Sequence, residues 1–503
     1  LMSLASHLKS QNFEQLWNQV ELAAKKDQPR TQIGILDEIQ NLAVKKKSYG
    51  NLLAATLHRA SVEYEISPDS LSKWLDELEL MEKQTTNYAL RAVLDAVLAK
   101  VYEAHPGIEE SATKAEGYRA KALSHPDILA KITDKDYQPF IEQGIDSQLF
   151  GHDLLHVIGL ETNNRALLHD WYLAHGNREA ACLLATDLAN GDIQKLDSII
   201  AAYQDLSVCG HAAIARFNAM PTSNNEERRA CYEYANQALD KWSDWKEMNK
   251  LRNAKGQLIT PQFFAEMESY VFHPQQQPKI VFEEVRNLSV IHVRIFRTLL
   301  NGDNSLLRSY NDLDEKQIQK IKKQIGKAPV QSCDISFSGK PNYELNTDSL
   351  LLPQLSPGIY LLEFSADNKE VGVQRKLIAV SNIRLVWQAQ PQERVRLVVV
   401  RADDGQPVKG ARIQASYDIK DKIKQFNLTT NKHGEAFITL SSKRPTFFVS
   451  TAEDKALPAQ SEWISYSYSP QEQPQKKVRI FTDRSVYRPG QTVYVNLMAW
   501  SVR

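Results

Sequence analysis

From Ser3 to about Tyr270, apolar residues recur with the 3.6-residue period of helices that bury one face. Ile35, Leu36, Ile39, Leu42 and Ala43 form one stripe, bounded by Asp27-Gln28-Pro29 before it and Ser48-Tyr49-Gly50 after it. Leu53, Leu57, Ala60 and Tyr64 form a second, which ends at Ser67-Pro68. Leu90, Val93, Leu94, Val97, Leu98 and Val101 form a third within Ala89 to Tyr102. Helices of this length, with short turns and small alanines where neighbours approach, predict stacked helical hairpins over residues 1–271. The stacking is expected to be tetratricopeptide-like or α-solenoid-like. No constant period of about 34 residues is present, so a compact helical domain stays open.

At Phe272-His273-Pro274-Gln275-Gln276-Gln277-Pro278 the composition turns to proline and glutamine, and residues 272–278 are expected to be a linker between domains. Beyond it the period changes from 3.6 to 2. Ile280 to Phe282, Leu288 to Phe296, Ile359 to Phe364 and Gln374 to Val380 predict strands of a β-sandwich over 279–380, with a helix inserted near 313–326 on Ile318, Ile321 and Ile325. A second sandwich is expected over 381–469. There Asp404-Gly405, Lys409-Gly410 and Asn431-Lys432-His433-Gly434 predict hairpin corners. Residues 470–477, with Pro470 and Pro474, read as a second linker. The last segment, 478–503, reads as strand, turn, strand: Arg488-Pro489-Gly490 is turn chemistry, and Gln491 to Leu497 alternates as a half-buried strand should. The fold class is therefore multidomain, helical first and then immunoglobulin-like β-sandwich.

Composition narrows the function classes. At 503 residues the chain exceeds one core, and 42% hydrophobic with 24% charged residues is ordinary globular composition. Lys+Arg and Asp+Glu are equal at 61 each, so no global field recruits nucleic acid or an anionic membrane. The longest apolar runs fall short of the roughly 20 residues a membrane helix needs. Leu1-Met2-Ser3-Leu4 lacks the basic and apolar regions of a secretory signal. The four cysteines, Cys182, Cys209, Cys231 and Cys333, have no C-x-x-C spacing; they are expected as small buried hydrophobes, with a Cys209–Cys231 bridge possible in principle.

Candidate chemistry is sparse. His152 and His156, at i and i+4 in Gly151-His152-Asp153-Leu154-Leu155-His156, would share a helix face as zinc ligands do in H-E-x-x-H. The position of the general base holds Asp153, however, and a third ligand from His169 or His175 has no recognisable spacing. The metal expectation is therefore none, with His152 and His156 as the weak candidates. Cys209 and His211 could form a thiol–imidazole pair, but no oxyanion loop accompanies them. Nucleophile-elbow and phosphate-loop motifs are absent, so no catalytic residue and no cofactor is expected. Asn287-Leu288-Ser289 and Asn427-Leu428-Thr429 satisfy the glycosylation sequon, a pattern frequent by chance.

One stretch carries a family resemblance. Asp483-Arg484-Ser485-Val486-Tyr487-Arg488-Pro489-Gly490-Gln491-Thr492-Val493 closely resembles the D-R-x-x-Y-R-P-G-x-x-V signature that opens a macroglobulin domain in alpha-2-macroglobulin family proteins. Asp483, Arg484, Tyr487, Arg488, Pro489 and Gly490 are the signature residues. Leu355-Ser356-Pro357-Gly358-Ile359-Tyr360 is similar to the family's L-x-P-G-x-Y turn into a strand, with the glycine permitting the corner. The helical region resembles the N-terminal extension of long bacterial members. The resemblance implies the N-terminal piece of a longer cell-envelope protein that traps or inhibits endopeptidases. This piece would be its non-catalytic scaffold, and 478–503 the start of a third macroglobulin domain. The family's Cys-x-Glu-Gln thioester motif is not in this chain; Cys333 continues as Asp334-Ile335-Ser336. Proteases would be engaged through regions beyond the chain, and the signal segment would have been trimmed. The alternative is a surface adhesion or assembly protein whose helical domain binds a protein or peptide.

Overall fold

The computed structural model describes residues 12–308, 313–419, 422–440, 444–465, 475–482, 487 and 490–502. The chain divides into two compact units, Leu1–Leu258 and Ile259–Arg503. The first is helical and the second is built of sheets whose strands pair antiparallel except at one two-residue edge strand, in line with the change of period.

In the helical unit each helix packs mainly on the next in chain order, as in a solenoid. Leu36 and Ile39 point inward from helix Pro29–Lys46 against Leu16 and Val20 of helix Phe13–Lys25, and Ala43 is buried further along the same helix. Side chains close the helix ends: Asn12 accepts from the Gln15 amide at 2.8 Å and Asn87 from the Leu90 amide at 2.9 Å. Helix Tyr88–Ala104 is buried on nearly every side, with Leu94 and Leu98 fully enclosed. Between Leu129 and Leu154 the regular stacking gives way to short 3-10 turns at Asp134–Tyr137 and Ser147–Phe150.

Helix formation stops at Leu258, not near Tyr270. Gln262–Glu266 is strand β1, with Phe263 and Ala265 inward, and Val271–Phe272 is β2. Five residues of alternation are too few to stand out beside long helical stripes, and only their distant partners make them strands. The Pro/Gln segment consequently joins β2 to β3 (Lys279–Arg286) inside one sandwich and is not a domain boundary.

That sandwich continues with β4 (Val290–Arg297), β5 (Gln331–Ser336), β6 (Asn346–Leu351), β7 (Gly358–Ala366) and β8 (Gln374–Val380). One sheet has the order β1-β3-β6 and the other β2-β8-β7-β4-β5. Phe263, Phe282, Val293, Leu362 and Phe364 fill the space between them. The outer face of the five-stranded sheet is also covered. Ile359, Leu361 and Leu377 pack there against Leu307 and against Ile321 of helix Glu315–Lys322, which an Asp314/Gln317 capping box starts. Burial on both faces explains why β7 is a continuous apolar run. Gly358 does not have a positive φ; its missing Cβ leaves room for the Arg297 guanidinium, 3.3 Å from where a Cβ would lie. The Tyr360 hydroxyl donates back to the Ser356 carbonyl at 2.8 Å and pins the corner.

The second sandwich comprises β9 (Ile383–Gln390), β10 (Arg394–Arg401), β11 (Arg412–Ile419), β12 (Lys422–Thr429), β13 (Glu435–Thr439), β14 (Thr446–Ser450) and β15 (Gln460–Ser461). Its sheets have the orders β13-β10-β9 and β12-β11-β14-β15. Val395, Leu397 and Val399 alternate into the core against Ile413, Ala415 and Phe447. The turn at 402–405 is a short hairpin corner, with Val400 bridging Pro407, but residues 408–411 then carry the chain into the other sheet. The turn at 430–434 is not a hairpin corner, since it leads from β12 in one sheet to β13 in the other. The hairpin between β9 and β10 turns at Pro391-Gln392-Glu393, with φ of 62° and 58° at Gln392 and Glu393. Local turn chemistry marks where a chain bends, and pairing decides which sheet it enters.

Finally, β16 (Gln475–Thr482) and β17 (Val495–Val502) pair as a hairpin with Thr482 opposite Val495. Residues 475–477, expected in a linker, lie in β16; Pro470 and Pro474 fall outside the described residues. The strand expected from Gln491 to Leu497 begins at Val495, which lies opposite Thr482.

Candidate functional site

The two histidines stand on either side of a helix start. Asp153 is the N-cap of helix Leu154–Glu161, so His156 lies on the helix while His152 precedes it with φ 55°. They do not share a helix face, which removes the premise of the zinc reading. The cause is the Asp153 side chain, which accepts from the His156 amide at 2.8 Å and starts the helix one residue after His152.

Each imidazole has its own partners. His152 Nδ1 lies 2.9 Å from Ser147 Oγ and 3.2 Å from Gln143 Nε2, and both of those groups donate to the fully buried Asp134 carboxylate. His156 Nδ1 lies 3.0 Å from Asp153 Oδ1, and its ring stacks on Phe150 with centroids 4.9 Å apart. Asp153 also accepts from the Tyr172 hydroxyl at 2.7 and 2.8 Å. Burial, then the Asp153 charge, pushes the Tyr172 phenol above its ordinary range. The backbone draws the two clusters together, the Asp134 amide donating to the His152 carbonyl at 2.9 Å and the Leu154 amide to the Ile132 carbonyl at 2.8 Å. Ser147 is buried and gives its single proton to Asp134, so its hydroxyl is not placed to attack a substrate. His169 pairs with Asp170, and His175 stacks on Trp171; neither reaches the pair. Among the described residues no group of three or more His, Cys, Asp or Glu is arranged to hold a metal. Asp134, Ser147 and Tyr172, which complete these clusters, follow no periodic pattern in the sequence.

The network is a structural clasp, and its measurable consequence is stability. Tyr172→Phe is expected to cost about 2 kcal/mol, since it removes a hydroxyl bound to a buried carboxylate. Urea unfolding followed by circular dichroism checks this.

Cys209 and His211 do not form a dyad. The Cys209 thiol faces the Ile200 carbonyl at 3.9 Å and Cys182, while His211 lies 3.7 Å from Glu247 and 3.9 Å from Asp187. The neighbouring Cys209 thiol, then burial, holds the Cys182 thiol above its ordinary value. Cys231 hydrogen-bonds the Pro221 carbonyl at 3.4 Å, and all four cysteines are free, so there is no Cys209–Cys231 bridge.

Of the signature residues, Asp483, Arg484, Arg488 and Pro489 lie outside the described residues. Gly490 has φ 87°, the left-handed conformation a turn glycine supplies. Tyr487 is half-buried, not exposed as an isolated strand pair would leave it. Val493 and Val495 are exposed, together with Ile480, Leu497 and Met498 of the hairpin.

No protein-family model matches this chain, and no curated protein matches it. No helix among the described residues is long and apolar enough to cross a membrane. Among solved structures, the chain is similar to Escherichia coli alpha-2-macroglobulin spanning domains NIE-MG1, at 15% identity over 38% of this chain and 94% of that one, with a TM-score of 0.29. The fragment spanning MG0-NIE-MG1 gives 13% identity over 40% of this chain and 64% of that one, with a TM-score of 0.28. A Salmonella alpha-2-macroglobulin mutant gives 13% identity and a TM-score of 0.18 over 47% of this chain, which spans only 18% of that protein. Its neighbours among solved structures thus include domains of two bacterial alpha-2-macroglobulins, at low identity and over part of this chain.

Proposed function

We propose that this chain is the non-catalytic scaffold of a bacterial alpha-2-macroglobulin-like protein that restrains endopeptidases at the cell envelope. The observation that carries the reading is the Asp483–Val493 signature, which follows two β-sandwiches in series. Cores built separately between each pair of sheets suit a scaffold that holds reactive domains apart and re-packs at its joints. The histidine and cysteine candidates are occupied in structural bonds, which supports a part that takes no catalytic step. Proteases would be bound elsewhere in the parent protein.

The test uses the full parent protein with trypsin, chymotrypsin and elastase. Trapped protease is expected to keep its activity on a small chromogenic peptide while losing activity on casein. If casein digestion continues unhindered with all three, the reading is wrong.

A further inference from the structure

Asp95 is the least explained residue of the helical unit. It lies between Leu94 and Ala96 in the most buried helix, Tyr88–Ala104, and is 2% exposed. Its Oδ1 is fully enclosed and accepts no hydrogen bond. A carboxylate taken out of water without a hydrogen-bond partner costs several kcal/mol, which the nearby Lys121 and Arg91 charges offset only in part.

Asp95 lines a cavity of about 360 Å³, between helices Ser70–Gln84, Tyr88–Ala104 and Ser111–Ala122 and the turn at His125–Leu129. Glu82, 7% exposed, lines it too and is a second buried carboxylate. Two cations border the same space, and neither hydrogen-bonds Asp95 Oδ1, although Arg91 Nε is likewise enclosed without a hydrogen bond. Arg91 donates to the Thr85 carbonyl and lies over the Tyr88 ring at 5.9 Å. Lys121 holds its ammonium over the Tyr118 ring, 4.7 Å from the centroid. Tyr88 and His125 meet edge to face at 5.1 Å on the cavity wall.

We propose that this cavity binds the ammonium group of a primary amine, with Asp95 and Glu82 as its counter-charges. Two enclosed carboxylates beside aromatic rings match the three donors and single charge of an ammonium. The amine could be carried by a lysine side chain of a polypeptide or by a small free diamine. The inference does not depend on the alpha-2-macroglobulin reading, because it rests on the helical unit alone.

Acid should weaken the site. Burial, then the Glu82 charge, lifts the Asp95 carboxyl to about 7, with Lys121 and Arg91 opposing. Below that pH Asp95 is neutral and no longer attracts an ammonium.

The experiment titrates the intact chain by calorimetry at pH 8 and pH 6. The probes are Nα-acetyl-lysine methylamide, putrescine, and Nα-acetyl-norleucine methylamide as the uncharged control. Saturable binding of one charged probe and none of the norleucine compound is expected, with affinity lower at pH 6. Preference for the lysine compound indicates a polypeptide source, and preference for putrescine a free amine. Asp95→Asn and Glu82→Gln should each weaken binding by about tenfold or more while circular dichroism stays unchanged. Absence of saturation by both charged probes, equal binding of the norleucine compound, or unaltered affinity in both variants would overturn the proposal.

Discussion

Asp95→Asn is expected to stabilise the helical unit at pH 8, and to do so less as the pH falls. The folded carboxyl titrates near 7, above its ordinary value of 3.8. The folded state therefore holds a proton, between those values, that the unfolded state has released. Stability at this site is full below the unfolded value and is lost as pH rises through 7. By pH 8 the loss amounts to about 2–4 kcal/mol, at 1.36 kcal/mol per pKa unit. Asparagine carries no such dependence. Urea unfolding at pH 8 should show the variant ahead by that amount, the lead should fall to less than half by pH 5, and it should nearly vanish near pH 4. An equal gain at all three pH values would point to repacking and not to a buried charge. A residue that destabilises its own fold at neutral pH is what a binding group looks like before its ligand arrives.

Gly302→Ala is expected to unlock the two sandwiches from each other. Gly302 follows β4 in the first sandwich. Its amide donates to the Lys455 carbonyl at 2.8 Å, and its carbonyl accepts from the Ala459 amide at 2.8 Å. A Cβ at this position would lie 1.8 Å from the Leu457 carbonyl oxygen and 2.5 Å from its carbon. Those atoms are backbone, and Leu457 is anchored in the second core. No side-chain rotation relieves the overlap, so the two hydrogen bonds must break. Asp454, which accepts from the Asn382 amide at 2.7 Å and the Ser381 hydroxyl at 3.0 Å, would then hold the joint together with Ala456, which clusters with Ile359 and Leu361. A loss of about 3 kcal/mol is expected from the overpacking and the broken bonds together. Hydrogen exchange should speed up across 455–459 while strands β7 and β10 stay protected. Unchanged exchange at 455–459 would show that the joint tolerates a side chain.

The course of the chain was legible wherever one face of an element repeats. The helix around Asp314–Lys322 and strand β8 over Gln374–Val380 follow from spacing and local polarity alone. The site chemistry was less legible. His152 and His156 have helical spacing, yet the cap at Asp153 puts them in different clusters, and a cap is a hydrogen bond that spacing does not encode. Asp95 left one signal, a lone carboxylate in an apolar helix. Its meaning depends on what the neighbouring helices fail to offer it.

By itself, then, the sequence determined the order of helices and then strands, the inserted helix, and the signature at Asp483–Val493. Periods of 3.6 and 2 are local properties of the backbone, and any window of the chain displays them. Tertiary structure alone decided that Gln262–Phe272 joins a sandwich, that the turns at Gly410 and Gly434 cross between sheets, and that Asp95 and Glu82 close on one cavity. Each of these depends on segments distant in sequence coming together, and a carboxylate's solvation or a strand's partner exists only once they have.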